Sequence, residues 1–225
     1  PVTNADMAAN SIINNYLEAT GIPVLSEENK AIPYTERKKW ERLWIVDPLD
    51  GTKEFLKKNG EFTVNIALVH GLLPVLGVIY APVTSELYYA IEGKGSFKVN
   101  KLSQRESIEL IREGGKRLSL DDTRRTGTVA VSRSHMNKKT ENYIKSRTGK
   151  VGMPALVSRG SSLKICMVAE GTAACYPRFG PTMEWDTAAG HAIVKYAGGS
   201  IRRIDNGEEL IYNKEDTMNP DFIVE

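Results

Sequence analysis

The run Trp44-Ile45-Val46-Asp47-Pro48-Leu49-Asp50-Gly51-Thr52 presents two carboxylates, separated by a Pro-Leu pair, directly after an apolar stretch. Pro48 stiffens the chain at that point and Gly51 permits tight backbone geometry. Two Asp side chains held this close repel one another unless a cation lies between them. Hard oxygen ligands on a rigid turn suit Mg²⁺, which takes a few carboxylates and keeps waters for substrate oxygens. Gly51-Thr52-Lys53-Glu54 reads as the first turn of a helix, whose free N–H groups would face an anion, so metal and phosphate could share this corner. The same residues also spell an ordinary Asp-Pro-x-Asp-Gly turn. Acids at the ends of other elements weigh toward metal binding. Glu27 and Glu28 follow the short strand Ile22–Leu25, and Asp186 opens an Ala-rich helix after Glu184-Trp185, where an Asp is often only an N-cap. Ala188, Ala189 and Gly190 behind it let that helix end approach other backbone closely. Carboxylates on several separate elements make a two-metal centre a candidate, although spacing alone does not show that they converge.

Three segments offer groups for a second anion. Ser132-Arg133-Ser134-His135 supplies hydroxyls, a guanidinium and an imidazole after a strand. Gly160-Ser161-Ser162-Leu163-Lys164 is a small-residue turn opening a helix, and Tyr176-Pro177-Arg178 adds a cation upstream of Asp186. Arg133 and Arg178 read equally well, one by one, as surface ion-pair partners. Cys166, Cys175 and the three histidines are not needed by a metal site built from carboxylates, and His70 reads as a turn residue.

The elements that must position these groups follow from periodicity and breakers. Ala5–Leu17 has helical spacing and stops at Gly21; Asn29–Glu41 is a polar loop or loose helical excursion. Leu43–Val46 is a strand, Phe62–Val69 and Pro74–Tyr80 form a hairpin, and Glu86–Ile91 is a further strand before a Gly93-Lys94-Gly95 turn. Ser103–Thr126 is charged and only weakly periodic. Thr128–Val131, Val151–Ser158 and Thr172–Tyr176 read as strands, with helices at Lys138–Arg147, Ser161–Glu170 and Asp186–Tyr196, the last closed by Gly198-Gly199. Ser200–Asp205 and Glu209–Tyr212 make a final hairpin around Asn206-Gly207. The order predicts a layered α/β protein with an antiparallel-rich first lobe over 1–115 and an α/β second lobe over 116–225.

With 225 residues, 41% of them hydrophobic and 26% charged, the chain is neither disordered, collagen-like nor coiled-coil. A formal charge of +2, with basic runs scattered among acids, argues against a duplex nucleic-acid surface. Two cysteines cannot build a disulfide framework, so a reducing, cytoplasmic setting is expected. Phe62–Ser85 lacks acidic and basic side chains over a length worth testing as a membrane span, but Gly71, Pro74, Gly77 and Pro82 break any helix there. No transmembrane segment is expected, and no signal peptide is visible.

These residues carry a family resemblance. Trp44–Thr52 resembles the strand-D-P-[IL]-D-G-T signature of the inositol monophosphatase superfamily, Mg²⁺-dependent, lithium-sensitive phosphomonoesterases. Glu184–Gly190 is similar to its W-D-x-A-[AG]-[GA] signature, Pro1–Asp6 to its S-P-V-T-x-A-D segment, and Ser26-Glu27-Glu28 to its single-Glu metal ligand. Pro23–Glu28, Lys53–Phe55 and Asn59–Ala67 are most similar to the 3′(2′),5′-bisphosphate nucleotidases within it. The resemblance spans essentially the whole chain and implies an αβαβ sugar-phosphatase-like sandwich. It also implies two or three Mg²⁺ per site. Glu27, Asp47 and the Leu49 carbonyl would hold one, and Asp47, Asp50 and Asp186 a second. Thr52, assisted by Asp6, would orient or deprotonate the attacking water, with Glu27 beside it, while the amides of Gly51 and Thr52 hold the phosphate. Substrate contacts are implied at Leu49, Asp50, Gly51, Thr52, Ser132, Arg133, His135, Ser161, Ser162, Lys164, Arg178 and Asp186. The implied substrate is a small nucleotide, adenosine 3′,5′-bisphosphate or its 5′-phosphosulfate counterpart; an inositol or sugar phosphate is the alternative on the same metal core. The implied protein is a cytoplasmic monomer with peripheral inner-membrane association as a further option. In the family a helix and a loop precede the segment matched by Pro1–Asp6, and that helix is missing from the sequence given.

Overall fold

Strict alternation of buried and partly exposed positions over Thr63–His70 gives one inward face, Thr63, Asn65, Ala67 and Val69, and one facing out. That strand sits near the middle of a seven-stranded sheet in the computed structural model, which describes residues 2–102, 107–120, 127–132, 136–148 and 154–225. The strands follow chain order: β1 (Val24–Ser26), β2 (Arg42–Asp50), β3 (Thr63–His70), β4 (Leu73–Ala81), β5 (Glu86–Ile91), β6 (Gly95–Val99) and β7 (Lys116–Leu118). β1 pairs parallel with β2, and every later pair is antiparallel. Three helices belong to this region: α1 (Asn4–Glu18), α2 (Tyr34–Arg37) and α3 (Thr52–Leu56). Helix α1 begins at a capping box, in which Asp6 at the third helical position accepts from the Thr3 N–H at 2.7 Å.

After α4 (Ile108–Gly114) and β7 come β8 (Thr128–Val131), α5 (Lys138–Thr148), β9 (Ala155–Ser158), α6 (Leu163–Ala169), β10 (Tyr176–Arg178), α7 (Glu184–Tyr196), β11 (Ile201–Arg203) and β12 (Phe222–Val224). β8 and β9 pair in parallel, and β12 lies antiparallel between β10 and β11. The protein is α/β with mixed sheets, as the element order leads one to expect.

Helix α7 crosses the inward face of β3 and β4. The facing residues are small: Ala188, Ala189 and Ala192 on the helix meet Ala67 and Gly77 on the sheet. A Cβ at Gly77 would lie 2.4 Å from the Ala189 carbonyl oxygen, so only glycine allows this separation. One hydrophobic cluster runs from Leu43, Ile45, Ile79 and Tyr88 to Leu163, Ile193 and Phe222, joining the two halves of the chain.

Three local expectations change. The strand that carries Asp47 does not stop at Val46 but continues to Asp50. The strand expected at Thr172–Tyr176 lies at Tyr176–Arg178, where Pro177 is tolerated because β10 is an edge strand. The partner of β11 is the C-terminal β12, and Glu209 touches it only through an isolated bridge to Arg202. Part of the expected hairpin persists beside that ladder, with the Arg203 N–H donating to the Glu208 carbonyl at 2.8 Å and the Leu210 N–H to the Ile201 carbonyl at 3.0 Å, and Leu210 and Tyr212 are buried like Phe222 and Val224.

Candidate metal centre

The site begins with an irregularity in β2. Asp47 stands opposite Asn65 and Asp50 opposite Thr63, so three steps along β2 match two along β3. Residues three apart on a regular strand face opposite sides; one extra residue brings them to the same side. Asp47 and Asp50 thereby converge. Asp47 is buried, and its Oδ1 accepts from the Leu49 N–H at 3.0 Å. Gly51 follows at φ +92°, the left-handed conformation that turns the chain into α3 with Thr52 at its first position.

Asp186 reaches the same point from the other half of the chain. It is the third residue of α7, and its Oδ2 accepts from the Met183 N–H at 2.8 Å. Asp47, Asp50 and Asp186 each bring a carboxylate oxygen to within 4.8 Å of the others. Burial, then Asp50, Glu27 and Asp186, push the Asp47 carboxyl well above the usual carboxylate range. Asp186 is raised to about 7, first by burial and then by Asp50. Glu27, just past β1, is raised by burial, by Glu28 and by Asp50. Asp6 lies close enough to add to the elevation of both Glu27 and Glu28.

Asp50 is held by the serine turn. Its Oδ2 accepts from the Ser161 hydroxyl at 2.5 Å, the Ser162 N–H at 2.7 Å and the Asn65 side-chain amide at 3.3 Å. Thr63 Oγ1 lies 2.6 Å from Ser161 Oγ and 2.8 Å from Ser162 Oγ. Gly160 fits here because a Cβ would come within 2.5 Å of the Glu61 carbonyl. Ser161 and Ser162 therefore orient an acid of the cluster, in addition to facing the cavity. Thr63 and Asn65 were not singled out for chemistry by sequence reasoning. Their signal was polar residues on the inward face of an otherwise apolar strand.

A cavity of about 440 Å³ joins these groups; it is lined by Glu27, Asp50, Gly51, Thr52, Ser132, Ser161, Ser162, Lys164, Arg178 and Asp186, and also by Lys53, Glu54 and Arg159. Asp47, Leu49 and Asp6 stand behind its surface, Leu49 and Asp6 both buried. Lys164 is buried, donating to the carbonyls of Ser161 at 2.7 Å and Arg159 at 3.0 Å. Arg178 is buried too; its Nη2 donates to the Pro181 carbonyl at 3.2 Å, whereas among the described residues its Nε has no hydrogen-bond partner. Arg133 and His135 lie outside the described residues.

The donor set fits a hard divalent cation. It consists of carboxylate oxygens alone, clustered so tightly that burial and mutual repulsion raise the carboxyls of Asp47 and Asp186 above their ordinary range. Comparison with known proteins agrees. The chain is 47% identical over 227 residues to the 3′(2′),5′-bisphosphate nucleotidase CysQ of Salmonella typhimurium, covering 100% of this chain and 85% of that protein. The crystal structure of CysQ from Bacteroides thetaiotaomicron, a bacterial member of the inositol monophosphatase family, superposes with a TM-score of 0.91 at 52% identity, over 98% of this chain and 82% of that one. An IMPase from Thermotoga maritima superposes with a TM-score of 0.74 at 25% identity, over 99% and 77%. The family model for inositol monophosphatases matches residues 1–224, and with its acidic cluster assembled from β2 and α7 this chain belongs to the inositol monophosphatase family.

Proposed function

We propose that the chain is a Mg²⁺-dependent 3′(2′),5′-bisphosphate nucleotidase that hydrolyses adenosine 3′,5′-bisphosphate to AMP and phosphate, and the 5′-phosphosulfate counterpart in the same way. The observation that carries this reading is one cavity that joins an oxygen-only acidic cluster, through Asp50 and Asp186, to the buried cations Lys164 and Arg178. An inositol monophosphate has one phosphate and needs mainly hydroxyl acceptors, whereas a bisphosphate needs a second anion site. The CysQ relatives at 45–47% identity support the same substrate.

In this reading Glu27, Asp47 and the Leu49 carbonyl hold one Mg²⁺, Asp47, Asp50 and Asp186 a second, and two or three ions occupy the site. Bound Mg²⁺ lowers the pKa of water, neutralises phosphate oxygens and stabilises the departing alkoxide. The chain's own residues do the rest. Thr52 orients the attacking water and relays the proton it gives up to the Asp6 carboxylate, with Glu27 bordering that water. The Gly51 and Thr52 amides hold the scissile phosphate. Ser161 and Ser162 keep Asp50 in position and, with Lys164, Arg178, Ser132, Arg133 and His135, receive the nucleoside and its 5′-phosphate. The region before about residue 115 thus supplies most of the metal ligands and the region after it most of the substrate contacts, a division into two functional lobes. Among the described residues no helix is long and apolar enough to cross a membrane, and Cys166 is a buried free thiol. We place the protein in a reducing cytoplasm, as a monomer.

The test is phosphate release from adenosine 3′,5′-bisphosphate and from inositol 1-phosphate, side by side, with Mg²⁺, with EDTA and with added Li⁺. A strong Mg²⁺-dependent preference for the nucleotide is expected, lost on Arg178→Ala. Preference for the inositol phosphate would overturn the substrate while leaving the metal core.

A further inference from the structure

Glu184, the first residue of α7, is fully buried, and no step of the hydrolysis uses it. Its carboxylate is nevertheless saturated with donors from a distant segment. Oε2 accepts from the Asn213 N–H at 2.7 Å, and Oε1 accepts from the Lys214 N–H at 2.9 Å and the Lys214 ammonium at 2.6 Å. The same segment grips the rest of the helix start. The Thr217 carbonyl accepts from the Glu184 N–H at 2.9 Å, and the Asn219 side chain donates to the Met183 carbonyl at 2.7 Å. Met183 in turn is the residue whose N–H binds Asp186.

The segment is itself anchored. Asn213 is in the left-handed conformation, φ +60°, and its side chain makes two bonds with Arg37, donating to the Arg37 carbonyl at 2.8 Å and accepting from Nη1 at 2.8 Å. The buried Arg37 guanidinium also donates to the carbonyls of Lys214 at 3.1 Å and Glu215 at 3.3 Å. Arg37 stands on α2, in the connection from the Glu27 corner to β2. Residues 37, 184 and 213–214 are remote in sequence and meet in one buried polar junction.

Desolvating a carboxylate, an ammonium and a guanidinium together is costly, and an apolar cluster would hold a helix at least as firmly. What such a junction adds is fixed geometry, since each bond has a direction. We propose that the Glu184–Asn213–Lys214 junction, backed by Arg37, is a positioning device that sets Asp186 against Asp47 and Asp50 and thereby sets the affinity of the site for Mg²⁺. Glu184 and Lys214 are positioning residues and touch neither metal nor substrate. This proposal rests on the Mg²⁺ reading of the site.

The experiment measures Mg²⁺ binding by calorimetry without substrate, and Mg²⁺ activation of phosphate release at saturating nucleotide. The variants are Glu184→Gln, Lys214→Met, Lys214→Arg and Asn213→Gly. Glu184→Gln and Lys214→Met are expected to weaken Mg²⁺ binding about 10-fold, at the low end of what outer-shell partners of metal ligands contribute. Their KM for nucleotide and their kcat at saturating Mg²⁺ should stay near wild type, a split that general loosening of the fold would not produce. Lys214→Arg should restore affinity. Asn213→Gly, which keeps the left-handed backbone and the N–H donor, should give a smaller loss through Arg37 alone, and it carries the test if Glu184→Gln does not fold. Mg²⁺ affinity within two-fold of wild type in the folded variants would overturn the proposal. Absence of Mg²⁺ binding by the wild type would overturn the metal reading itself.

Discussion

Asp47 carries the heaviest electrostatic burden of the site, because it is buried and faces Asp50, Glu27 and Asp186 together. Without a cation this repulsion works against folding. Asp47→Asn removes one charge at nearly constant shape, so in EDTA its melting temperature should exceed that of wild type, by about 2–4 °C for each kcal/mol of repulsion relieved. Its Mg²⁺-dependent phosphate release should fall by more than about 100-fold. Scanning calorimetry and a phosphate assay on the same preparation check both halves, and an active variant would remove Asp47 from the ligand set. Asp186 gives the sign of the pH dependence. A carboxyl raised from 3.8 to about 7 binds its proton more tightly in the folded state, so its stabilising contribution is complete below 3.8 and is lost as pH rises through about 7. The metal-free wild type should therefore lose stability relative to Asp186→Asn between about pH 4 and pH 7. Saturating Mg²⁺ should abolish that difference in trend, and parallel melting curves without metal would contradict the assignment.

Elements enter through the places where they touch. The α7–β4 contact depends on Gly77, where an added methyl meets the Ala189 carbonyl at 2.4 Å and the Ala192 Cβ at 2.8 Å. Gly77→Ala should cost about 1–3 kcal/mol by overpacking. The same shift displaces the helix that carries Asp186, so activity at limiting Mg²⁺ should decline further than stability alone explains. Thermal unfolding together with a Mg²⁺ titration separates the two effects. The bulge in β2 has an equally direct role, since without the extra residue Asp47 and Asp50 would lie on opposite faces of the sheet.

At the scale of the whole molecule, the C-terminal strand ties the later elements together. β12 pairs with both β10 and β11, and Phe222 packs edge-on against Tyr176 while lining the cavity. Phe222→Ala should cost about 3–5 kcal/mol. It should also open the region around Arg178, and chemical denaturation read with nucleotide KM tests that pairing of effects. A stability loss below about 1 kcal/mol would show that the strand is not the tie described here.

The sequence by itself was enough to single out the acids that the fold gathers. Asp47, Asp50 and Asp186 stand out because carboxylates beside Pro, Gly and small residues at element ends are few and specific, and the strongly periodic helices and hairpin could be read from spacing. The convergence of those acids was decided only in three dimensions. It needs a one-residue bulge, a helix brought close by Gly77, and serines that brace Asp50 across about 110 residues of chain. The same holds for β12 and for Glu184. A three-residue apolar run has no period to recognise, and a buried carboxylate has no meaning until its donors arrive from residues 213 and 214. Local patterns record which face a residue turns inward, whereas pairing partners and polar junctions depend on long-range contacts that no local pattern encodes.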